Sequence, residues 1–586
     1  MLRPKQNTIR MAFASSLLLV SLCSVAQQPV WEDREPEAAT GWYQKESVTS
    51  KDFMVSAANI HASQAGKKII EQGGSAIDAA IAIQAMLTLA EPQSSGIGGG
   101  AFIMYWDNTT KQLSTYDGRE VAPANTPSDV FMKDGEVMSW RDAVVGGKSV
   151  GVPGVLKALE KAHAKHGKLP WSELFDDTIK LASEGFEVSP RLAGLIARDI
   201  HPALDTFKEA QEYFKPNGEG LKAGDILKNP ALASNLEKIA NNGTEYFYSG
   251  ILAEQIVEAV RLAPTNPGRM STSDLRNYQA IERQAMCGDY REYTICGMAP
   301  PSSGGVSVYQ ILKGLEQFDV SAWEPQSLEI VHAFSQASAL AFADRAVYIA
   351  DLDFLGLSAK PLVEQAYLQK RNQLISLTEP FSKATEGQPY PQYAFAQDDA
   401  YELNSTSHIS IVDKDGNAVS MTTSIEFMFG SGVMVGGFLL NNQLTDFALS
   451  PEKEGKLVLN RVQPLKRPRS SMSPTMVFDQ EGNLQLVIGS PGGSRIINYV
   501  AQAIVNVLDF DMDVQQAISA PRFTNRNDYT ALEKGSSLES LKGPLEALGH
   551  DVRIIDLNSG LHAVEIEEDR LIGAADPRRE GVAMGQ

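Results

Sequence analysis

Residues 402–419 read Glu402-Leu-Asn-Ser-Thr406-Ser-His408-Ile-Ser-Ile-Val-Asp-Lys-Asp-Gly-Asn-Ala-Val419, and short β-rich runs dominate the chain from this point on. The runs at 408–412 and 418–423 are rich in apolar and β-branched residues, and Asp415-Gly416-Asn417 between them is a turn signal. We therefore predict two adjacent strands. Further strand-like runs lie at 433–440, 475–478 and 484–488.

Helical periodicity dominates the chain before this point. The pattern from 59 to 91 predicts two helices, separated at Gly73-Gly74, and Ser75 with Asp78 makes a capping-box start for the second. Further helical stretches lie at 328–350 and 496–508, and strand-like runs at 101–106 and 112–116. Strands flanked by helices predict a layered α/β sandwich.

The first thirty residues have the composition of an export signal. Three basic residues precede an apolar run at 11–23, and Ser24-Val25-Ala26 follows with the small-x-small pattern of a signal-peptidase site. The run is too short to span a bilayer. We predict a signal peptide at 1–26 and a periplasmic or secreted protein. A lipid anchor on Cys23 is the alternative.

Composition excludes some classes of function. The chain has 586 residues, 43% of them apolar, which is ample for a folded core, and we find no internal repeat or low-complexity linker. Its formal net charge of -20 argues against nucleic acid as a partner, because a phosphate-binding surface needs clustered lysine and arginine. No later stretch is apolar for the length of a transmembrane helix.

Two cysteines remain after the predicted signal peptide. Cys287 and Cys296 flank Gly288-Asp289, in a pattern that suggests a hairpin. In an oxidising compartment they form a disulfide or remain two unpaired strand residues, and the sequence leaves both open. Neither is a good candidate nucleophile, since no histidine is near them in sequence.

Two glycine-rich loops have different contexts. Gly96-Ile-Gly-Gly-Gly100 follows a helix and leads into a strand, which is the reverse of a dinucleotide-binding loop, so we interpret it as a structural turn. Gly489-Ser-Pro-Gly-Gly-Ser-Arg495 follows a strand and opens a helix. Adjacent backbone N–H groups at such a turn suit an oxyanion hole, although a plain tight turn has the same pattern.

The junction at Thr406-Ser-His408 resembles the processing site of the γ-glutamyltransferase (glutathione hydrolase) family, whose precursor is cut before the threonine. Further blocks resemble that family in the same order from about residue 50 to the C-terminus. They are Glu91-Pro-Gln93, Gly98-Gly-Gly100, Asp117-Gly-Arg-Glu120, Pro300-Pro-Ser-Ser-Gly-Gly305, Leu440-Asn-Asn-Gln-Leu-Thr-Asp446, Pro468-Arg-Ser-Ser-Met-Ser-Pro-Thr475, Gly489-Ser-Pro-Gly-Gly-Ser-Arg495, Ala520-Pro-Arg-Phe523 and Asp576-Pro-Arg578.

The resemblance implies a four-layer αββα fold of the N-terminal nucleophile hydrolase type. It implies cleavage between Ser405 and Thr406, which yields a large subunit of 27–405 and a small subunit of 406–586 that stay together as a heterodimer. Thr406 is then both the cutting residue and the nucleophile. Its freed α-amine, which ordinarily titrates at about 7.7–8.0, serves as its base. This chemistry needs no metal or other cofactor.

The resemblance also assigns the binding residues by position. Arg119 and the pair Ser470 and Ser471 match residues that hold the α-carboxylate of a γ-glutamyl group, and a guanidinium suits that shape. Further matches are Asp446, Gln443 and Glu426 at the α-ammonium, Gly492 and Gly493 at the oxyanion, and Ser424 beside the nucleophile's hydroxyl. We interpret His408 as structural, because the amine already fills the role of base; a catalytic His408 is the alternative.

The chain departs from some relatives between Asp446 and Ser470. The segment 447–469 is shorter than the lid that covers the pocket in those relatives, and it is rich in charge, so we expect a more open site. The expected reaction is transfer of the γ-glutamyl group of glutathione or a related compound to water, an amino acid or a peptide. One rival is a glutaryl or cephalosporin-type acylase of the same family. The other is a homologue that never matures and has no catalytic activity.

Overall fold

The computed structural model describes residues 1, 41–400, 402 and 405–586. The predicted signal peptide lies outside the described residues apart from Met1, and its cleavage stays a prediction. Among the described residues, we find no helix that is both long enough and apolar enough to cross a bilayer.

Two seven-stranded antiparallel sheets form the centre of the molecule. Sheet 1 contains, in spatial order, Val582–Gly585, Met54–Ala57, Ser407–Val412, Ala418–Ser424, Gly100–Asp107, Gln112–Asp117 and Ile281–Arg283. Sheet 2 contains Val48–Ser50, Leu571–Ala575, His562–Ile566, Leu484–Gly489, Thr475–Phe478, Tyr293–Gly297 and Met286–Tyr290.

The sheets are stacked, with helices on both outer faces. Phe102 and Met104 of sheet 1 join Met476 and Ile488 of sheet 2 in one buried core. On the outer face of sheet 1 lie Ile60–Glu71, Ala76–Ala90 and Val155–His166; against sheet 2 lie Tyr309–Leu315, Leu328–Tyr348, Ile496–Leu508 and Val514–Ser519. This is the predicted αββα sandwich, and the prediction is confirmed.

A further group of helices extends from the sheet 1 side of the sandwich. It comprises Asp176–Glu184, Pro190–Ala197, Pro230–Asn242 and Ile251–Arg261. Their apolar residues join the same core cluster as Ala76–Ala90. A three-stranded sheet of Phe523–Asn525, Thr530–Glu533 and Val552–Ile555 lies beside Leu328–Tyr348.

Most long elements agree with the sequence patterns. The helices Ile60–Glu71 and Ala76–Ala90 are separated as predicted, and Ser75 and Asp78 form a reciprocal capping box. The prediction of one strand at 433–440 is wrong. Met434–Val435 and Phe438–Leu439 are two short strands, because Gly436 and Gly437 adopt positive φ and reverse the chain. The C-terminal strands after 560 were not recognised in the sequence.

The chain places Thr406 at the start of a central strand. Ser407–Val412 lies between Met54–Ala57 and Ala418–Ser424, and Ser407 is opposite Thr423. Every residue of Ser407–Val412 is buried. The position of Thr406 is therefore fixed by hydrogen-bonded neighbours on both sides of the strand that follows it.

Cys287 and Cys296 form a disulfide in this structure. They are directly opposite each other in the antiparallel pair Met286–Tyr290 and Tyr293–Gly297, at the edge of sheet 2. The predicted hairpin is present, but its turn is at Arg291-Glu292; Gly288 and Asp289 lie within the first strand, opposite Ile295 and Thr294.

Gly489 provides a test of how closely the two sheets approach each other. A Cβ atom at Gly489 would overlap the imidazole of His408 on the opposite sheet. We expect Gly489→Ala to lower the free energy of unfolding by about 1–3 kcal/mol, as overpacking of a tight core does. Denaturant unfolding measures this change.

Gly543→Ala is the matched control. Gly543 lies in the helix Lys542–Ala547, and an added Cβ atom meets nothing within 4 Å. Alanine is favoured over glycine in helices, so this variant should be neutral or slightly more stable. Equal stability of the two variants would contradict the close approach at Gly489.

Candidate active site

Thr406 lines a small cavity, made of buried residues, between the sheet 1 strands and the helix Ile496–Leu508. The centre of a water molecule can occupy a volume of about 20 Å³ in this cavity. The lining residues are Arg119, Glu402, Ser405, Thr406, Ser424, Glu426, Gln443, Asp446, Ser470, Ser471, Met472, Gly493 and Ile496. The cavity thus brings together every site residue predicted from the sequence except Gly492, which is adjacent to Gly493 in the same turn.

The Thr406 hydroxyl lies against the peptide bond that precedes it. It donates a hydrogen bond to the carbonyl oxygen of Ser405 and is 3.3 Å from the Ser424 hydroxyl oxygen. Ser424 also donates to the Ser405 carbonyl, at 2.9 Å. Two hydroxyl groups therefore converge on one carbonyl, and the Ser405 side chain is itself tied to the Gln93 carbonyl.

The His408 imidazole is held by hydroxyl groups other than that of Thr406. Its Nδ1 is 2.8 Å from the Thr422 hydroxyl and its Nε2 is 3.1 Å from the Ser410 hydroxyl. Burial, and then the neighbouring His562, lower the pKa of His408 well below its usual range. A neutral imidazole that is held by two hydroxyl groups fits the structural interpretation.

The turn at Gly492-Gly493 lies at the start of the helix Ile496–Leu508. Gly492 has φ = 133° and Gly493 has φ = 55°, and a side chain is strained at both values. The first helical turn, Gly493–Arg495, is a 3₁₀ turn. Backbone N–H groups at a helix start favour a negatively charged oxygen, and Gly493 lines the cavity.

Three buried oxygen atoms on one wall have no hydrogen-bond partner among the described residues. They are Oδ1 of Asp446, Oε1 of Glu426 and Oε1 of Gln443. Unpaired buried acceptors are costly, and an ammonium group offers three donors. Glu426 also has φ = 77°, a strained value for a residue with a side chain. The wall is therefore arranged for a small cation.

Electrostatics support this interpretation of the wall. Burial raises the pKa of Asp446 to about 6, against the lowering effect of the Arg119 guanidinium. Burial, and then the charge of Asp446, raise the pKa of Glu426 well above its usual range. A cation between them favours the ionised form of both groups.

Arg119 is already well paired in this structure. Its guanidinium is 2.5 Å from Asp446 Oδ2 and from the carbonyl oxygen of Arg469, and it also donates to the Pro468 carbonyl. Glu120 is 3.8 Å away, and burial raises the pKa of Glu120 to about 8. In this structure the Arg119 guanidinium therefore holds Asp446 in place, and its charge is already paired.

Glu402 is a buried member of the site that sequence reasoning did not assign. Its carboxylate is 2.5 Å from the Arg345 guanidinium and 3.0 Å from Nε of Arg469, and it accepts a hydrogen bond from the Ser471 hydroxyl. Burial raises the pKa of Glu402, but Arg345 and Arg469 outweigh it and hold that pKa well below its usual range. The only sequence signal was its place in the junction motif.

Ser470 and Ser471 lie in a segment that is held by the loop after Pro300. Ser303 donates from both its amide and its hydroxyl to the Ser470 carbonyl, each at 2.8 Å. The Ser470 hydroxyl accepts from the Met472 amide, whereas the Ser471 hydroxyl points to Glu402. Of the two serines, only Ser471 therefore contacts the Glu402 carboxylate in this structure.

The segment 447–469 packs beside the chain that leads to the junction. It contains an exposed hairpin of Glu452–Lys453 and Lys456–Leu457. Asn460 binds the Asp398 carboxylate and the Asp446 carbonyl, both at 2.8 Å. No group of three or more His, Cys, Asp or Glu side chains suited to a metal ion occurs in the described part of the chain.

Comparisons with known proteins agree over nearly the whole length. Residues 62–586 match the family model described as Gamma-glutamyltranspeptidase. The glutathione hydrolase proenzyme of Bacillus subtilis (strain 168) is 37% identical over 570 residues, which cover 94% of each chain. That of Escherichia coli (strain K12) is 37% identical over 543 residues, which cover 91% of each.

A solved structure shows the same architecture. The cephalosporin acylase from Bacillus halodurans superimposes with a TM-score of 0.82 at 25% identity, and the match covers 93% of this chain and 97% of that one. Relatives of this chain are thus named for two different substrates, glutathione and cephalosporin, so the fold does not choose between them.

The Glu402 cluster predicts a specific dependence of stability on pH. In a Thr406→Ala chain, we expect Glu402→Gln to cost about 3–5 kcal/mol of unfolding free energy at pH 7, because it removes the buried carboxylate that Arg345 and Arg469 share and leaves only Asp398 beside Arg469. The folded pKa of Glu402 is depressed, so its contribution is complete above about pH 4.3 and declines as the pH falls below that value.

Urea unfolding of both proteins from pH 7 to pH 3.5 measures the difference, with Glu481→Gln in an exposed turn as the control. A difference that stays constant across this pH range would contradict the ion pair. Equal stability at pH 7 would contradict it as well.

Proposed function

The chain belongs to the gamma-glutamyltranspeptidase family, and we propose that it cuts itself before Thr406 and then cleaves the γ-glutamyl bond of glutathione and related compounds. One observation carries the choice of substrate. The cavity beside the nucleophile contains three buried acceptor oxygens that lack partners among the described residues and that match the three donors of an α-ammonium group.

The self-cleavage step follows from the contact between Thr406 and Ser405. The threonine oxygen attacks the Ser405 carbonyl carbon, the C–N bond breaks, and the Thr406 nitrogen takes up the proton that the hydroxyl loses. Water then hydrolyses the resulting ester, which leaves a carboxylate on Ser405 and a free amine on Thr406. Ser424 stabilises the carbonyl oxygen by the hydrogen bond described above.

The freed amine makes the hydroxyl of the same residue a nucleophile. An α-amine titrates at about 7.7–8.0, so it accepts the hydroxyl proton and returns it to the leaving amine. The γ-glutamyl group then remains on Thr406 as an ester. Water or the amine of an amino acid or peptide resolves that ester, and the two outcomes are hydrolysis and transfer.

Different residues of the cavity bind different groups of the γ-glutamyl donor. Asp446, Glu426 and Gln443 bind the α-ammonium. The amides at Gly492 and Gly493 stabilise the oxyanion, an interaction typically worth about 10²–10³ in rate per donor. The α-carboxylate is bound by Arg119, Ser470 and Ser471, as the family resemblance implies.

The proposed mature protein is a heterodimer of 27–405 and 406–586. Both fragments contribute strands to each sheet and residues to the cavity, so separation would expose the core. The basic and apolar N-terminus at 1–26 supports export to the periplasm or the medium. Because the segment 447–469 is short, we expect an open site that accepts the amines of varied amino acids and peptides.

A cephalosporin-type or glutaryl acylase is the second candidate, and the match to a cephalosporin acylase favours it. A glutaryl group lacks the α-ammonium. Bound glutaryl would leave Oδ1 of Asp446 and Oε1 of Glu426 without a hydrogen-bond donor in a buried site, which is unfavourable. The unpaired oxygens therefore favour a γ-glutamyl group over a glutaryl group as the substrate.

A matched pair of substrates tests the ammonium site. We expect the wild-type enzyme to have a kcat/KM for γ-glutamyl-p-nitroanilide at least 10²-fold above that for glutaryl-p-nitroanilide, because only the former pairs with Asp446. We expect Asp446→Asn to lower the first value by about 10–10²-fold and the second by much less.

Release of p-nitroaniline measures both constants. A wild-type preference for the glutaryl compound would reject the proposed substrate and favour the acylase. An equal loss on both substrates in Asp446→Asn would show that Asp446 acts on the structure of the site and not on the ammonium.

A further inference from the structure

The disulfide between Cys287 and Cys296 joins the last two strands of sheet 2. Met286–Tyr290 is the edge strand, and Tyr293–Gly297 is its one hydrogen-bonded neighbour among the described strands. Cys287 is exposed, whereas Cys296 is only 4% exposed and belongs to the buried apolar core that contains sheet 2. The two ends of one bond therefore have different surroundings, and the proposed mechanism uses neither of them.

This difference decides which sulfur atom an external thiol attacks. A thiolate needs access to the sulfur that it attacks, and the exposed residue of the pair is Cys287. The attack breaks the bond between Cys287 and Cys296 and forms a mixed disulfide at Cys287. Cys296 leaves as a thiolate and takes up the proton that the attacking thiol has lost. A second thiol then attacks the mixed disulfide, so that two thiols are oxidised to one disulfide and both cysteines become thiols.

The backbone of Gly305 lies on the strand pair next to the disulfide. Met286 is opposite Gly297, one position along from the two cysteines. A Cβ atom at Gly305 would be 2.7 Å from the Met286 Cβ atom and 3.1 Å from the Gly297 carbonyl carbon, so there is no free space between them. The Gly305 amide also donates to the Met298 carbonyl, at 3.0 Å. The separation of the two strands at this point therefore sets the position of Gly305.

The segment 301–303 holds Ser470 and Ser471, two serines of the proposed donor site. The amide and the hydroxyl of Ser303 donate to the Ser470 carbonyl, each at 2.8 Å. The Ser470 amide donates in return to the carbonyl of the first residue of 301–303, at 2.9 Å. Gly305 is two residues from Ser303, so a change in the position of Gly305 moves the hydrogen-bond partners of Ser470.

We propose that the Cys287–Cys296 disulfide is a thiol-exchange site that small thiols enter at Cys287, and that its oxidised form keeps Ser470 and Ser471 in position for the donor. In the reduced protein, main-chain hydrogen bonds on one side alone hold the edge strand, and Gly305 loses its fixed support. The ligand is a small thiol, and glutathione, the proposed donor, belongs to this class. The inference rests on the proposed function for the role of the two serines only.

Single-cysteine variants test the direction of attack and need no activity. Cys296→Ser leaves the exposed cysteine and Cys287→Ser leaves the buried one, and both carry Cys23→Ser so that no third thiol reacts. We expect dithiobis(nitrobenzoate) to react with folded Cys296→Ser at least about 10-fold faster than with folded Cys287→Ser, because the reaction follows access to the thiolate. In urea the two variants should react at similar rates.

Equal rates in the two folded variants, or faster reaction of Cys287→Ser, would overturn entry at Cys287. The folded wild-type protein should also gain two thiols in dithiothreitol, one from each cysteine of the disulfide. A disulfide that is reduced only after the protein has been unfolded in urea would overturn the exchange site.

The effect on the donor is measured with mature enzyme that is reduced with dithiothreitol and then freed of it without oxygen. We expect reduction to raise the KM for γ-glutamyl-p-nitroanilide by about 3–10-fold and to change kcat by less than about twofold, because Ser470 and Ser471 bind a carboxylate that does not react. Re-oxidation should restore the original KM. The KM for 4-aminobutyryl-p-nitroanilide, which lacks the α-carboxylate, should change by less than about twofold.

The double variant Cys287→Ser/Cys296→Ser is the control, since its KM for the γ-glutamyl anilide should be raised and should not respond to dithiothreitol. An unchanged KM in wild-type protein whose disulfide has been reduced would overturn the positioning role. Equal losses on both anilides would overturn it too, because they would show a general loss of structure. Wild-type protein that turns over neither anilide would reject the proposed function instead, and the single-cysteine variants would still decide the exchange site.

Discussion

The contact between the Thr406 hydroxyl and the Ser405 carbonyl is the interaction on which the rest of the site depends. It exists because Ser407–Val412 is a central strand with hydrogen-bonded neighbours on both sides, so that the residue just before it has little freedom. Ser424, on the adjacent strand, reaches the same carbonyl. A backbone that is fixed by two neighbouring strands brings a hydroxyl and its target together before any substrate is present, which is the condition for efficient intramolecular attack.

The cavity beside Thr406 is lined by buried charged groups of both signs. In this structure Arg345 and Arg469 pair with carboxylates of the chain itself, whereas Oδ1 of Asp446, Oε1 of Glu426 and Oε1 of Gln443 have no hydrogen-bond partner among the described residues. A γ-glutamyl group carries one anion and one cation beside its scissile amide. Recognition of such a zwitterion under the proposed function requires groups of both signs beside Thr406, and the cavity contains them.

Sequence patterns predicted much of the fold because its long elements follow simple rules. The capping box at Ser75 and the helix at Ile496–Leu508 depend on local chemistry, and so does the break after Glu71. Short strands whose pairing is decided by distant residues gave no such signal, as the hairpin at Met434–Leu439 and the strands after 560 show. Hydrophobic periodicity did not identify Thr406 as a site residue. The resemblance of the Thr406-Ser-His408 junction to a known family identified it. Glu402 and Arg345 are 57 residues apart in sequence, and only folding brings them together.

The most direct test of this account is the mass and N-terminal sequence of the fragments in purified wild-type protein, in Thr406→Ala and in Thr406→Ser. The account predicts that wild type yields a small fragment beginning Thr-Ser-His and ending at Gln586, that Thr406→Ser still yields a fragment from residue 406, and that Thr406→Ala stays one chain. Cleavage of Thr406→Ala at the same bond would contradict the central claim, because no hydroxyl would then be available on residue 406 to attack the Ser405 carbonyl.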